Sequence, residues 1–222
     1  MPPKSRGKFI TFEGLDGVGK STQLQKLADY LQGRGWPVVV TREPGGTVIG
    51  DQLRSVLLNS RTAGLSPLAE LGMMFAARAQ HIDELILPAL SRGDWVLCDR
   101  FIDSSEAYQG GGRELGVKPI LRLHKILCRN LQPDLTILMV SDPVRSLVRA
   151  RRRNIRNSAA TPDEGRFEQE SGAFYRRVFD AYLAIAKREK RVVKVNATES
   201  IETVHENIVR HVAKRLKIGP KR

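Results

Sequence analysis

The stretch Gly14-Leu15-Asp16-Gly17-Val18-Gly19-Lys20-Ser21 constrains this chain more than any other. It fits G-x-x-x-x-G-K-[ST], follows a short apolar run and leads into helical periodicity. Glycines at these offsets let successive backbone N–H groups turn inward around a nucleotide's β-phosphate. A helix starting near Lys20 aims the positive end of its dipole at the same anion. Lys20 reaches the β and γ oxygens, and Ser21 offers its hydroxyl to Mg²⁺. A chance glycine-rich turn leaves the Lys and the Ser at the right places unexplained. The predicted nucleotide-binding set is therefore Gly14, Leu15, Asp16, Gly17, Val18, Gly19, Lys20, Ser21 and Thr22.

Around this loop, short β-branched runs alternate with longer amphipathic stretches, the pattern of a parallel sheet covered by helices. Strands are predicted over 8–13, 37–41, 95–99, 135–140 and 192–195. Leu24, Leu27, Ala28 and Leu31 mark one helix, and Ile201, Val204, Ile208, Val212 and Leu216 another. A helical tract is predicted over about 67–92, with Pro88 ending or bending it, and a further one over 168–188. Residues 154–165 read as a loop. The expectation is α/β: a five-stranded parallel sheet flanked by helices, in a single domain over 1–222 with a lid at about 149–168 and a basic tail at 217–222.

With 222 residues, 41% apolar and 27% charged, the chain has the composition of a globular protein that can bury its own core. No apolar run approaches the roughly 18 residues of a membrane span, and the basic start lacks a signal-peptide core. Cys98 and Cys128 lack metal or redox spacing and read as buried free thiols, so a cytoplasmic location is expected.

The formal net charge is +13, which has two readings: a nucleic-acid surface or a site for small polyanions. The excess is uneven, with six Arg against one acid between Asp142 and Arg156. Basic residues do not alternate with aromatics as single-strand binding demands. A guanine-reading N-K-x-D is absent, which disfavours a GTPase switch and favours a small kinase. Arg42, after the second predicted strand, is placed for an acceptor phosphate. Phe75 and Arg78 share a helical face, which suits either core packing with an Arg at the rim, the favoured reading of the pair alone, or a base held by stacking and at its edge. Asp99 closes the third strand, where a carboxylate can hold Mg²⁺ or its waters.

Taken together, the phosphate loop, Thr41-Arg42-Glu43-Pro44-Gly45-Gly46, Phe75 to His81, Asp99-Arg100-Phe101, and Ser104-Ser105 with Tyr108-Gln109-Gly110 stand in a recognisable order. In this order and spacing the chain resembles the bacterial thymidylate kinases, from about Lys8 to Leu216. The resemblance implies transfer of the γ-phosphoryl group of ATP to dTMP, with Mg²⁺, in a homodimer, and with no nucleic-acid or membrane partner. It implies that Phe75 stacks on thymine, that Arg78 and Ser105 meet the base edge, and that Asp16 meets the 3′-hydroxyl. Arg42 and Arg100 would hold the 5′-phosphate, and Tyr108 would crowd the 2′ position with Ser104 and Gln109 nearby. No Arg stands between Gly14 and Lys20, so the γ-phosphate guanidinium would come from the lid, by Arg153 and Arg166, then Arg149. The chain departs from the family pattern in an inserted segment, 154–164, in Gly165 where Asp is usual, and in Phe101 where Tyr is common.

Overall fold

The computed structural model describes residues 6–62, 64–157 and 163–217. Strands β1 (Phe9–Glu13), β2 (Val38–Arg42), β3 (Trp95–Asp99), β4 (Leu135–Val140) and β5 (Val192–Asn196) form one sheet in the order β2-β3-β1-β4-β5. Every neighbouring pair is parallel. All the predicted strands are present, with ends displaced by a single residue at most.

Side-chain alternation distributes each strand over two cores. Ile10, Phe12 and Leu97 join one cluster, while Phe9, Val96 and Cys98 join the other. Helices α1 (Lys20–Gln32), α8 (Gly172–Arg188) and α9 (Ile201–Leu216) close the first cluster. Helices α3 (Pro67–His81), α4 (Leu87–Arg92) and α6 (Val117–Leu127) close the second. With both faces covered, the strands read as nearly continuous apolar runs. The remaining helices are α2 (Val48–Leu58), α5 (Ile102–Ser105) and α7 (Pro143–Asn157). Cys98 and Cys128 are free and buried, as expected.

Three expectations need correction. Pro88 neither ends nor breaks the long tract. The helix widens into a π turn at Ile82–Ile86, the Leu87 N–H reaches back to the Ile82 carbonyl, and Pro88 sits in the first turn of α4, where its missing donor is not needed. The predicted 154–165 loop begins later, because α7 continues through Asn157. Residues 158–162 and 218–222, in the lid insertion and the basic tail, lie outside the described residues. Helix α8 begins at Gly172 rather than 168, because the Ser171 side chain accepts a bond from the Phe174 N–H and caps it.

Candidate active site

Strands β1, β2 and β3 end side by side, and the residues following them converge. The phosphate loop turns through Gly14, Gly17 and Gly19, all at positive φ (130°, 78° and 95°). At Gly14 the requirement is steric as well, since a Cβ would stand 2.4 Å from the Met139 carbonyl oxygen. Helix α1 starts at Lys20, as the motif demands. Lys20 is buried, and its Nζ donates to the Gly14 and Leu15 carbonyls at 3.2 and 3.0 Å. Burial and the nearby Arg100 lower its pKa, against the opposing pull of Asp99, Asp16 and Glu13. A phosphate would relieve the desolvated ammonium of both penalties.

Ser21 and Asp99, 78 positions apart in sequence, meet here: Ser21 Oγ donates to Asp99 Oδ2 at 2.9 Å. The other oxygen, Asp99 Oδ1, is buried with no hydrogen-bond partner among the described residues. The Ser21 hydroxyl and the Asp99 carboxylate, one oxygen of which is buried and unsatisfied among the described residues, form the kind of sparse oxygen set that Mg²⁺ uses when phosphates and water fill its other positions. The residues present fit that ion.

Next to this corner lies a cavity of about 130 Å³. Asp16, Arg78, Arg100, Ser104, Ser105, Tyr108 and Gln109 line it, all named from the sequence. Arg100 adopts the left-handed backbone (φ 72°), and its guanidinium is held on several sides. Nη2 donates to Asp16 Oδ1 at 2.7 Å and to the Tyr108 hydroxyl at 3.3 Å, and Nη1 donates to Ser104 Oγ at 3.0 Å and the Tyr182 hydroxyl at 3.2 Å. Tyr108 donates to Asp16 Oδ2 at 3.1 Å, and its ring lies 5.0 Å from the Arg100 guanidinium. Gln109 donates to Glu70 Oε1 at 2.7 Å.

Arg78 also lines the cavity and is buried. Its Nε donates to Glu43 Oε2 at 2.6 Å and its Nη2 to the Phe101 carbonyl and Ser105 Oγ, each at 3.0 Å, while Nη1 is left unpartnered among the described residues. Burial alone would raise the Glu43 pKa, but Arg78 and His81 outweigh it and hold the carboxyl below its ordinary value. His81 Nδ1 lies 3.0 Å from Glu43 Oε1 and its Nε2 2.7 Å from Thr41 Oγ1, which extends the network to β2.

Comparison with known proteins decides the family. The sequence profile described as "Thymidylate kinase" matches residues 12–208. The chain belongs to the thymidylate kinase family. It is 46% identical over 207 residues to the thymidylate kinase of Pelobacter propionicus, covering 93% of this chain and 94% of that one. It is 47% identical over 205 residues to that of Thiobacillus denitrificans, covering 92% and 95%. The crystal structure of thymidylate kinase from Ehrlichia chaffeensis aligns with a TM-score of 0.72 at 32% identity, covering 93% of this chain and 98% of that one.

Against the family pattern, four predicted residues sit elsewhere than expected. Phe75 is fully buried in the second core and is not on the cavity wall. Its ring lies under the Arg78 guanidinium at 5.0 Å, and Met74, one helical position earlier, faces the cavity instead. Arg42 is exposed and lies 3.8 Å from Asp51, outside the cavity lining. Arg166 is buried and committed to structure: Nε donates to the Leu57 carbonyl and Nη1 to Glu70 Oε2 at 2.8 Å. Arg149 is exposed on α7 and donates to Ser141 Oγ at 3.3 Å. Arg153 belongs to α7, but its side chain lies outside the described residues.

Several cavity residues went unread in the sequence. Arg54 of α2 holds Glu164 through two parallel bonds of 2.7 and 2.6 Å and donates to the Pro44 carbonyl at 2.9 Å. Glu43, Pro44, Leu58, Met74, Glu164, Phe167 and Glu168 complete the wall. The acid of Arg-Glu-Pro-Gly was visible as a motif residue, but nothing in the sequence paired it with Arg78.

Proposed function

We propose that the protein transfers the γ-phosphoryl group of ATP to dTMP, with Mg²⁺, yielding ADP and dTDP. The observation that carries this reading is the position of Asp16. It belongs to the phosphate loop and also lines the acceptor cavity, 2.7 Å from Arg100. A nucleotide on the loop and a monophosphate in the cavity therefore meet end to end at Arg100. The acceptor oxygen is already anionic, so the reaction needs alignment and charge neutralisation more than a base. Lys20 and Arg100 supply fixed cations on either side of the junction. Ser21 and Asp99 would hold Mg²⁺, which would offset charge on the donor phosphates.

The deoxynucleoside end extends away from Arg100. The free Nη1 of Arg78 suits a carbonyl on the base edge, Ser105 stands beside it, and Met74 offers the apolar surface first assigned to Phe75. Tyr108, tied to Asp16, occupies the sugar's neighbourhood and disfavours a 2′-hydroxyl. Residues 1–222 act as one kinase domain in the cytoplasm, with 149–168 as its lid. No helix among the described residues is long and apolar enough to cross a membrane. The partners are dTMP, ATP and a second copy of the chain, with no nucleic acid. Exposed Val56 on α2, Leu68 on α3, and Val117 and Leu121 on α6 support the pairing.

A coupled ADP-release assay with dTMP, dUMP, CMP, GMP and thymidine tests this reading. ADP should form with dTMP and not with CMP, GMP or thymidine. Absence of dTMP turnover would overturn it.

A further inference from the structure

Glu13, the last residue of β1, is completely buried at the floor of the site, and the mechanism above does not use it. Its carboxylate accepts three hydrogen bonds: at Oε1 from the Phe101 N–H (2.8 Å), and at Oε2 from Ser104 Oγ (2.6 Å) and the Tyr182 hydroxyl (3.1 Å). Ser104 and Tyr182 are also the two hydroxyls to which Arg100 Nη1 donates. A hydroxyl has one proton to give. When both donate to Glu13, their lone pairs face Arg100 and neither proton is left for the 2.8 Å contact between the two hydroxyls, so the carboxylate sets the direction of the network. The bond from Phe101 holds the peptide directly after Arg100, whose left-handed backbone is otherwise unfavourable for a residue bearing a Cβ.

We propose that Glu13 is a positioning residue for the acceptor phosphate: by fixing Ser104, Tyr182 and the Phe101 peptide, it holds the Arg100 guanidinium in the one orientation that faces both Asp16 and the incoming phosphate. The proposal rests on the kinase reading above and extends it one layer below the reacting groups. An ordinary buried carboxylate serving only the core would be paired with a cation. Glu13 has no ion pair among the described residues, and its bonds go to neutral hydroxyls and one amide, two of which are shared with the site's central arginine. The charged and titratable groups that act on it electrostatically are Lys20 from α1, Arg78 from α3, Cys98 from β3, Arg100, Asp103 from α5, Tyr182 from α8 and Arg191.

Glu13→Gln keeps the shape and the acceptor for Phe101 but turns an N–H toward the two hydroxyls, reversing their bonds. Steady-state kinetics with dTMP and ATP varied separately should show kcat/KM for dTMP falling about 10- to 100-fold, the usual reach of an outer layer, while KM for ATP and the melting temperature stay near wild type. Tyr182→Phe and Ser104→Ala remove one acceptor each. Each should give a smaller loss of the same kind, and either should add little in the Glu13→Gln background. Wild-type dTMP kinetics in Glu13→Gln would overturn the proposal, as would equal losses toward both substrates accompanied by a lower melting temperature. Should Glu13→Gln fail to fold, the two hydroxyl variants decide it, and unchanged dTMP kinetics in both would overturn it. Wild-type enzyme that turns over dTMP while these variants behave normally leaves the kinase reading standing and removes only the role of Glu13; a wild type inert toward dTMP removes both.

Discussion

Arg100 combines an uncommon backbone conformation with four hydrogen bonds to its guanidinium, so the surrounding network holds a residue that would otherwise relax. Arg100→Ala should cut dTMP turnover by about 100-fold or more, the scale of removing one preorganised charge at a reacting centre, and leave ATP affinity nearly intact. Separate titration of each nucleotide checks this, and an equal loss of ATP affinity would show that the residue serves the donor. Glu13 beneath it adds a pH dependence. Burial and the neighbouring Asp103 raise its pKa from 4.5 to about 7. A carboxyl with a raised folded pKa contributes stability that is complete below the unfolded value and is lost as pH rises through the folded one. Function asks for the opposite form, since only the ionised carboxylate accepts from both hydroxyls. Turnover of dTMP should therefore rise through pH 7 in the wild type, and this limb should vanish in Glu13→Gln. At this scale the local motifs name Lys20, Ser21, Asp99, Arg100, Ser105 and Tyr108, which the structure gathers at the phosphate loop and the cavity beside it. For Phe75 the pair alone favoured core packing, where the structure puts it; the resemblance put it on thymine, and with about 100° of rotation per helical position only the packing of α3 decides whether Met74 or Phe75 faces the cavity. Glu13 was missed because a buried acid in an apolar strand reads as an interruption until Ser104 and Tyr182 are brought to it.

Elements place these residues, and most of the predicted ends were legible locally, while the Ser171 cap of α8 was left unread. The strand limits, the start of α1 and the full length of α9 follow from local chemistry. The base of the lid does not, since its anchors lie 96 to 110 positions away. Glu164 is clamped by Arg54 and the Asp163 carboxylate bonds to Ser60, while Arg166 reaches Leu57 and Glu70. Residues 163–170 are thereby strapped to α2 and α3, which explains why Arg166 is not available to a phosphate. Arg54→Ala should raise KM for dTMP by about 10-fold, the worth of one charge-assisted pair, and should speed amide exchange over 163–170; unchanged exchange there would show that the strap carries no strength. Helix α6 offers a second test. His124 donates through Nε2 to the Leu131 carbonyl and buries an Nδ1 with no partner among the described residues. Burial, with Arg78 nearby, lowers its pKa from 6.5 to about 4. The unfolded chain then takes up the proton first, so this contribution is complete above pH 6.5 and is lost as pH falls toward 4. Between pH 4.5 and 6.5 it opposes the slope from Glu13. Denaturant midpoints across that window should fall with rising pH in His124→Gln and rise in Glu13→Gln.

For the molecule as a whole, the charge of +13 bears on association as much as on substrate capture. Two copies of so basic a chain repel one another, so a homodimer must gain its free energy from apolar contact. The described surface offers a place for it, since α2, α3 and α6 pack side by side and leave Val56, Leu68, Val117 and Leu121 exposed. Burying such a patch against itself satisfies the self-complementarity of a two-fold interface. Salt distinguishes this arrangement from a dimer held by ion pairs. Raising ionic strength from about 0.05 to 0.5 M shortens the screening length several-fold and weakens repulsion between the two chains without weakening apolar contact. Sedimentation equilibrium should therefore show a dimer that persists or tightens with salt. Leu121→Glu, which places a carboxylate in the seam with no partner, should be monomeric at the same concentrations and keep its fold by circular dichroism. A dimer that loosens with salt and tolerates Leu121→Glu would place the interface on a charged surface elsewhere, and the basic α7 would then be the first place to look.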